Sequence, residues 1–176
     1  GAYVTGTPAG TASLVLSEIH FHPAGPASPE ELSALPALSD EDFEYLELHN
    51  VSSGTLDLTG ARFSEGISFT FPPGTLLAAG AYITVVENIQ AFTLRYGSGP
   101  AIAGQYTGNL DNDGDTIVLL SAAGGELLRC HYSDAWTDAA DGNGFSLTLR
   151  NPDQSPSSYS NAAVWALSAA ASGNPG

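Results

Sequence analysis

Short stretches in which apolar and polar residues alternate recur along most of the chain. LVLSEIHF begins at Leu14, FEYLELHN at Phe43 and ISFTF at Ile67. Turn-forming residues separate the stretches, for example Pro72–Gly74 after the third of them. An alternation with a period of two is typical of β-strands that bury one face. The pattern predicts at least seven short strands, the others being AYITVVE, DTIVLLS, ELLRCHY and GFSLTLR.

One segment between the first two strands carries signals for a helix start. Ser28 is followed by Pro29 and, three positions after the serine, by Glu31. A serine with a glutamate three residues later is the capping-box pattern, and proline is favoured at the first helical position. A short helix near 29–35 is predicted, and Pro36 should end it.

A second helix is predicted at 89–96. Asn88 is a favoured N-cap residue, and Gly97 suits the position after the last turn. Two short helices among so many strands predict an all-β sandwich as the fold class.

The two ends of the chain have a different character from its middle. Residues 1–12, GAYVTGTPAGTA, are small, polar and unpatterned, as in a linker. A β-sandwich is expected over 13–170, and 171–176 would begin a C-terminal linker. The sequence contains no methionine, so we expect a piece cut from a longer, processed protein.

The net charge of the chain argues against some classes of binding partner. Nineteen acidic residues face four basic ones, for a net charge of −15. Such a surface repels phosphate, which argues against direct contact with nucleic acid or with anionic membranes. No apolar run reaches the roughly 20 residues of a membrane span, so membrane insertion is not expected. The acidity suits a calcium-rich or saline exterior and equally a simple need for solubility.

The order of the motifs resembles the lamin tail domain, in the form found in large secreted bacterial proteins. The stretches that carry the resemblance are LVLSEIHFHP, DEDFEYLELHNVSSGTLDLTGARF, GQYTGNLDNDGDTIVLL, DGNGFSLTLRNP and SGNPG. The resemblance implies an immunoglobulin-like β-sandwich of the lamin-tail type with two short helices. It also implies an extracellular or cell-surface module, joined to neighbouring domains, that has no chemistry of its own. A filament role is not implied, because no heptad segment is present.

The stretch LDNDGDTIVLL contains the first candidate site. Asp111, Asp113 and Asp115 are three carboxylates within five residues, and a cation would relieve their mutual repulsion. An EF-hand loop is excluded, because Gly114 is fourth rather than sixth and position twelve is Ala122. We expect a plain hairpin turn here, with a weak calcium site as the alternative.

A second acidic turn offers Asp138 and Asp141 near Asn143. Loops of this kind gather at one end of a sandwich, so the two acidic turns could share an ion. Calcium is therefore the one cofactor that the sequence leaves open, and no other cofactor is predicted.

The histidines raise the question of zinc. His20 and His22 alternate along a strand and would point to one side, with His49 or His131 as further ligands. The alternative is that each is an ordinary surface or hydrogen-bonded histidine, which the following Pro23 favours because it marks the exit of the strand.

Catalytic patterns are weak. Glu18 and Glu47 lie on different strands and could form an acid–base pair, but hydrogen bonds to backbone groups are the simpler expectation. Cys130 lies among apolar residues and is expected to be a buried thiol. No Gly-x-Ser-x-Gly elbow is present. We expect no enzyme.

Two functions remain. The first is a non-catalytic interaction or spacer module of a larger secreted or cell-surface bacterial protein, with an unknown protein or glycan ligand. The alternative is a calcium-assisted module that binds carbohydrate or another surface ligand. Trp136 and Trp165 are candidates for an exposed platform that stacks on a sugar, while Trp136 could equally form a lid over the end of the sandwich.

Overall fold

The computed structural model describes residues 5–176 of the chain. Fourteen strands lie in this part: β1 (Thr7–Pro8), β2 (Leu14–His20), β3 (Tyr45–Asn50), β4 (Leu56–Asp57), β5 (Arg62–Glu65), β6 (Ile67–Thr70), β7 (Leu76–Leu77), β8 (Tyr82–Val86), β9 (Ile102–Gln105), β10 (Thr107–Gly108), β11 (Thr116–Leu120), β12 (Glu126–His131), β13 (Leu147–Leu149) and β14 (Trp165–Leu167). The two α-helices are α1 (Pro29–Leu32) and α2 (Ile89–Tyr96). Neither helix is long and apolar enough to cross a membrane.

Two larger sheets dominate the structure. One has the order β14-β13-β2-β3-β8-β9, and the other has the order β10-β6-β5-β11-β12. Neighbouring strands in them are antiparallel, apart from the parallel pair β8–β9. A small third sheet, β1-β4-β7, joins them. Side chains from both large sheets, such as Leu16, Leu48, Phe63 and Ile117, form one buried cluster. The predicted all-β sandwich is confirmed.

The strand β2 contains an extra residue that decides which side chains face the core. Leu16 pairs with Leu48 of β3, and Glu18 pairs with the adjacent Glu47, so Ser17 has no partner of its own. This bulge lets Leu16 and Ile19, three positions apart, both enter the core cluster. It also places Glu18 directly opposite Glu47. The simple alternation that the sequence suggests for this strand is interrupted at that point.

The helix α1 begins as predicted and ends early. The Ser28 hydroxyl accepts a hydrogen bond from the backbone N–H of Glu31, whose carboxylate accepts one from the N–H of Ser28. The helix ends at Leu32 rather than near residue 35. The residue before a proline is disfavoured in helical conformation, so Pro36 shortens the element more than the sequence prediction allows.

The helix α2 has the predicted bounds. The Asn88 side chain accepts hydrogen bonds from two backbone N–H groups of the first turn, and Gly97 follows the last turn with a φ of 73°. Phe92 is buried and Tyr96 packs beside it on the sheet. Ile89, three positions before Phe92, is 43% exposed.

Both segments that the sequence marks as linkers contact the sandwich. From the first one, β1 pairs in parallel with β4. From the second one, the backbone N–H of Asn174 donates to Glu18 at 3.0 Å. Residues 1–4 of the N-terminal segment lie outside the described residues. Sheet contacts therefore extend beyond 13–170 in both directions.

One buried ion pair joins the helices to the loop before α1. Arg95 Nε lies 3.0 Å from Glu31 Oε1, and the two side chains are 9% and 5% exposed. The same guanidinium donates to the carbonyls of Ala24 and Gly25, and its carbon lies 3.3 Å from the centre of the Phe43 ring. Burial alone would raise the pKa of Glu31, but hydrogen bonds from Arg95 and from backbone N–H groups hold that pKa below its ordinary value. Arg95 thus supplies the cationic partner of the buried Glu31 carboxylate and also binds two carbonyl groups of half-buried residues.

We expect Arg95→Met to lower the unfolding free energy by roughly 3–5 kcal/mol, because it leaves the buried Glu31 carboxylate without its partner. The matched control is Arg129→Met, since Arg129 also forms ion pairs, with Glu65 and Glu126, but on the exposed surface. The control should have a much smaller effect. Urea denaturation followed by tryptophan fluorescence gives both values. Equal losses in the two variants would contradict the structural role of Arg95.

Candidate functional site

The face of the six-stranded sheet that turns away from the core carries two adjacent acidic side chains. On β3, Leu46 and Leu48 enter the core, so Glu47 between them points to the opposite face. The bulge in β2 places Glu18 beside it as its cross-strand partner. Glu18 and Glu47 are only 1% and 3% exposed, because the C-terminal segment covers them. Two carboxylates are thus buried side by side under the chain's own last residues.

Glu18 is held mainly through one of its oxygens. Oε1 accepts hydrogen bonds from the Tyr45 hydroxyl at 2.7 Å, from the Ser146 hydroxyl and from the Asn174 N–H. Burial raises the pKa of Glu18, and these bonds partly offset that rise. Within residues 5–176, Oε2 of Glu18 receives no hydrogen bond. The second oxygen is therefore free to accept a donor from outside.

Glu47 is held through both oxygens. Oε1 accepts from the Ser17 hydroxyl at 2.6 Å, and Oε2 accepts from the Gly176 N–H at 2.5 Å. Burial raises the pKa of Glu47 to about 7, although both hydrogen bonds act in the opposite direction and Glu18 adds to the rise. Backbone N–H groups bind both glutamates, as the sequence suggested, and hydroxyl groups, which it did not indicate, bind them as well.

The C-terminal segment approaches the sheet so closely that it needs a glycine. Gly173 has a φ of 79°, and a Cβ atom there would collide with the Tyr45 hydroxyl. One residue earlier, the carbonyl of Ser172 accepts a hydrogen bond from the Tyr96 hydroxyl. The segment is therefore fitted to this face through its backbone.

A cavity of about 190 Å³ opens beside the two glutamates. We call it the glutamate pocket. His49 and Tyr82 form one wall, with ring centres 4.0 Å apart and planes 10° apart. Burial lowers the pKa of His49, so the imidazole is neutral near pH 7. The complete lining is Val15, Ser17, Glu18, Glu47, His49, Tyr82, Thr148, Leu149, Pro152 and Asn174.

The aspartates of the first acidic turn do not form a metal-binding group. The Asp111 carboxylate accepts from the N–H of Asp113 at 3.0 Å, and the carbonyl of Asp111 accepts from the N–H of Gly114. The Asp115 carboxylate accepts from the N–H of Thr116 at 2.6 Å. Within residues 5–176, no group of three or more His, Cys, Asp or Glu side chains is placed to hold a metal ion. The geometry is that of a hydrogen-bonded turn, and weak calcium binding stays a prediction.

The second acidic turn is engaged with a histidine. Asp141 Oδ1 lies 2.6 Å from His22 Nδ1, and Asp40 lies 3.5 Å from the other ring nitrogen. The Asn143 side chain donates to the carbonyls of Asp138 and Asp141. These contacts close the turn upon itself and upon the loop after β2.

The four histidines have four different environments. Buried His20 is hydrogen-bonded to the carbonyl of Gly144 at 3.0 Å, and burial lowers its pKa to about 3. His22 contacts the second acidic turn, His49 stacks on a tyrosine, and His131 lies 3.1 Å from a threonine hydroxyl. The zinc pair that the sequence allowed for His20 and His22 is not assembled among the described residues.

The remaining candidates are part of the core. Cys130 is fully buried, as predicted, and its thiol donates to the carbonyl of Tyr159. Burial raises the pKa of this thiol to about 12. Trp165 is 3% exposed and is not a platform for a ligand, because its indole N–H is bound to the same carbonyl. Trp136 packs against the core cluster, in keeping with a lid.

Sequence reasoning missed one buried acid. Glu44 Oε2 accepts from the Tyr106 hydroxyl at 2.8 Å and from the Leu110 N–H at 2.9 Å, while Oε1 is buried without a partner. Burial raises the pKa of Glu44 to about 8, and the nearby carboxylates of Glu41 and Glu87 contribute to the rise. Nothing in the local sequence distinguishes Glu44 from a surface residue, because its burial depends on residues about 60 positions away.

The family model described as Lamin Tail Domain matches residues 7–134, well over half of the chain. The chain belongs to the lamin tail domain family. The resemblance seen in the sequence is confirmed, and with it the immunoglobulin-like β-sandwich. Lamin tail domains of this kind are generally non-catalytic. No curated protein matches the chain. The matched region contains Glu18 and Glu47, whereas Ser146, Thr148 and the covering segment lie beyond it.

The turn at Asp111–Asp115 can be tested with calcium. We expect the melting temperature of this lamin tail domain to be the same in micromolar calcium and in chelator, because the carboxylates of Asp111 and Asp115 already accept hydrogen bonds from their own turn. A bound ion at a hundredfold excess over its Kd would add about 2.7 kcal/mol of stability. A calcium-dependent rise that Asp113→Ala abolishes would show that the turn is a calcium site.

Glu44 should make the stability of the domain depend on pH. Its pKa is raised to about 8, so the folded state keeps a proton that the unfolded chain releases near 4.5. The resulting stabilisation is complete below the lower value and is lost as the pH rises through the higher one. Glu44→Gln cannot ionise, so it should flatten this fall by up to about 1.4 kcal/mol per pH unit.

Urea denaturation at several values between about pH 5 and 8 measures this slope. The control is Glu30→Gln, which removes an exposed carboxylate and should retain the full fall. Identical slopes for Glu44→Gln and the unmodified protein would contradict a protonated Glu44.

Proposed function

We propose that this lamin tail domain is a non-catalytic interaction or spacer module of a larger secreted or cell-surface bacterial protein. Its partners would be the neighbouring domains of that protein and a protein or glycan ligand. Direct nucleic-acid contact is not part of the proposal, because a net charge of −15 opposes the approach of phosphate. Membrane insertion is not part of it either.

The observation that carries the proposal is the state of the best catalytic candidates. The adjacent pair Glu18 and Glu47 is covered by the C-terminal segment and bound by hydroxyl and backbone groups. The single thiol, Cys130, is fully buried within the sandwich. A nucleophile needs access to a substrate, which the buried Cys130 lacks. The hydroxyl and backbone donors that bind Glu18 and Glu47 suit a binding or structural role better than proton transfer.

Hydrolysis assays test the non-catalytic part. We expect no turnover of chromogenic glycosides, carboxylic esters, phosphodiesters or casein above the rate in buffer, for the unmodified domain and for Glu47→Gln alike. Turnover that Glu47→Gln abolishes and Glu30→Gln retains would overturn the proposal.

Cell fractionation tests the location. An antibody raised against the domain should detect it in the culture medium or on intact source cells. Exclusive detection in the cytoplasm would contradict the extracellular part of the proposal.

A glycan array with and without calcium separates the proposed module from a calcium-assisted carbohydrate binder. We expect no glycan signal that depends on calcium, because Trp165 is buried in the core cluster and Trp136 is half-buried against it. Calcium-dependent glycan binding would favour the carbohydrate-binding alternative.

A further inference from the structure

The glutamate pocket has two acidic side chains and no cationic side chain in its lining. Two carboxylates, Glu18 and Glu47, line it together with the hydroxyls of Ser17 and Thr148. The four arginines all lie in the described part of the chain, and none of them lines the cavity. His49 is the one basic side chain in the lining, and its imidazole is neutral near pH 7 because burial lowers its pKa. The pocket therefore lacks a cation.

One carboxylate oxygen in this pocket, Oε2 of Glu18, accepts no hydrogen bond within residues 5–176. Glu18 is 99% buried, since only 1% of it is exposed. Its three hydrogen bonds all reach Oε1, and none reaches Oε2 within residues 5–176. Oε2 itself keeps contact with solvent, so a ligand that supplies an N–H donor can bind this oxygen from the solvent side.

We propose that the glutamate pocket binds a primary ammonium group, supplied by a lysine side chain of a partner protein. An ammonium group has three N–H donors, which matches the number of acceptors offered by Glu18 Oε2, Glu47 and a hydroxyl of the lining. The aromatic wall of His49 and Tyr82 suits the methylene stem of a lysine and, through the Tyr82 ring, its charge. This inference rests on the proposed function and names the chemistry of the partner.

The size of the pocket supports a single side chain. Its volume of about 190 Å³ is below the roughly 300 Å³ at which pockets for drug-sized ligands begin. A second cavity of about 420 Å³ shares Val15 and Pro152 with it and extends along Asp153–Pro156. We call this second cavity the adjoining groove. The backbone on either side of a partner's lysine can lie in it, whereas a small free amine is too short to contact it.

The ammonium group must come from outside residues 1–176. These residues contain four arginines and no lysine, so none of their side chains can supply an ammonium group to the pocket. Its net charge of −15 also attracts a basic partner from a distance and repels a second copy of the same chain.

Titration followed by amide NMR shifts provides the test. The probes are the blocked peptide acetyl-Gly-Gly-Lys-Gly-Gly-amide, the same peptide with its lysine Nε-acetylated, and butylammonium. We expect the lysine peptide to shift the amides of Ser17, Glu47, His49 and Tyr82. Acetylation removes the charge and should abolish the shifts. Shifts of equal size with the acetylated peptide, or none with the lysine peptide, would overturn the proposal.

Three variants sharpen the result. Glu47→Gln keeps the shape of the side chain and should weaken the binding of the lysine peptide at least about tenfold. Tyr82→Ala should weaken the binding of this peptide severalfold. Tyr82 is 37% exposed, so this variant should fold without disturbing the buried carboxylates. Glu30→Gln removes the same charge elsewhere and should change the affinity by less than about twofold. Equal affinity of all three variants would refute the site.

Butylammonium distinguishes the two sources of the ammonium group. We expect it to bind at least about tenfold more weakly than the lysine peptide, because it cannot use the adjoining groove. Equal affinity would overturn the assignment to a partner protein in favour of a free amine. The hydrolysis and fractionation results do not depend on these titrations, so failure of the lysine site leaves the non-catalytic, extracellular proposal standing on its own.

Discussion

The extra residue in β2 is the constraint on which the rest of the outer face depends. Without Ser17 as an unpaired residue, Leu16 and Ile19 could not both reach the core, since residues three apart point to opposite faces of a regular strand. The core thus requires the bulge, and the bulge sets Glu18 opposite Glu47. A packing requirement on one side of the sheet produces an acidic pair on the other.

Burial of that pair has to be compensated by neighbours. The hydroxyls of Tyr45, Ser146 and Ser17 donate to the two carboxylates, and backbone N–H groups of the C-terminal segment complete the set. Neutral donors stabilise a carboxylate without supplying positive charge, which is why the pKa of Glu47 still rises to about 7. The pocket beside the pair therefore has two acidic side chains and no arginine in its lining.

Positive charge is scarce in this chain and is used where burial demands it. Arg95 is the arginine that joins two helices and a loop around the buried Glu31 carboxylate. Elsewhere, as at Glu44 and Glu18, carboxylates are buried with hydroxyl and amide partners instead. A lamin tail domain with so few cations keeps its core carboxylates by hydrogen bonding and protonation, and its surface remains strongly acidic.

The sequence by itself determined the all-β class, the family and both helix starts, because alternation, caps and turn residues act over a few positions. Tertiary structure alone decided the outer face. The alternation in LVLSEIHF gives no sign of the bulge, since the choice between registers depends on how β3 and the core pack against it. Glu18 is a site residue only because Ser146 and Asn174, about 130 and 156 positions later, fold back onto it. Contacts between residues so far apart in the sequence produce no periodic pattern of apolar and polar residues. The pocket therefore could not be predicted from the sequence alone.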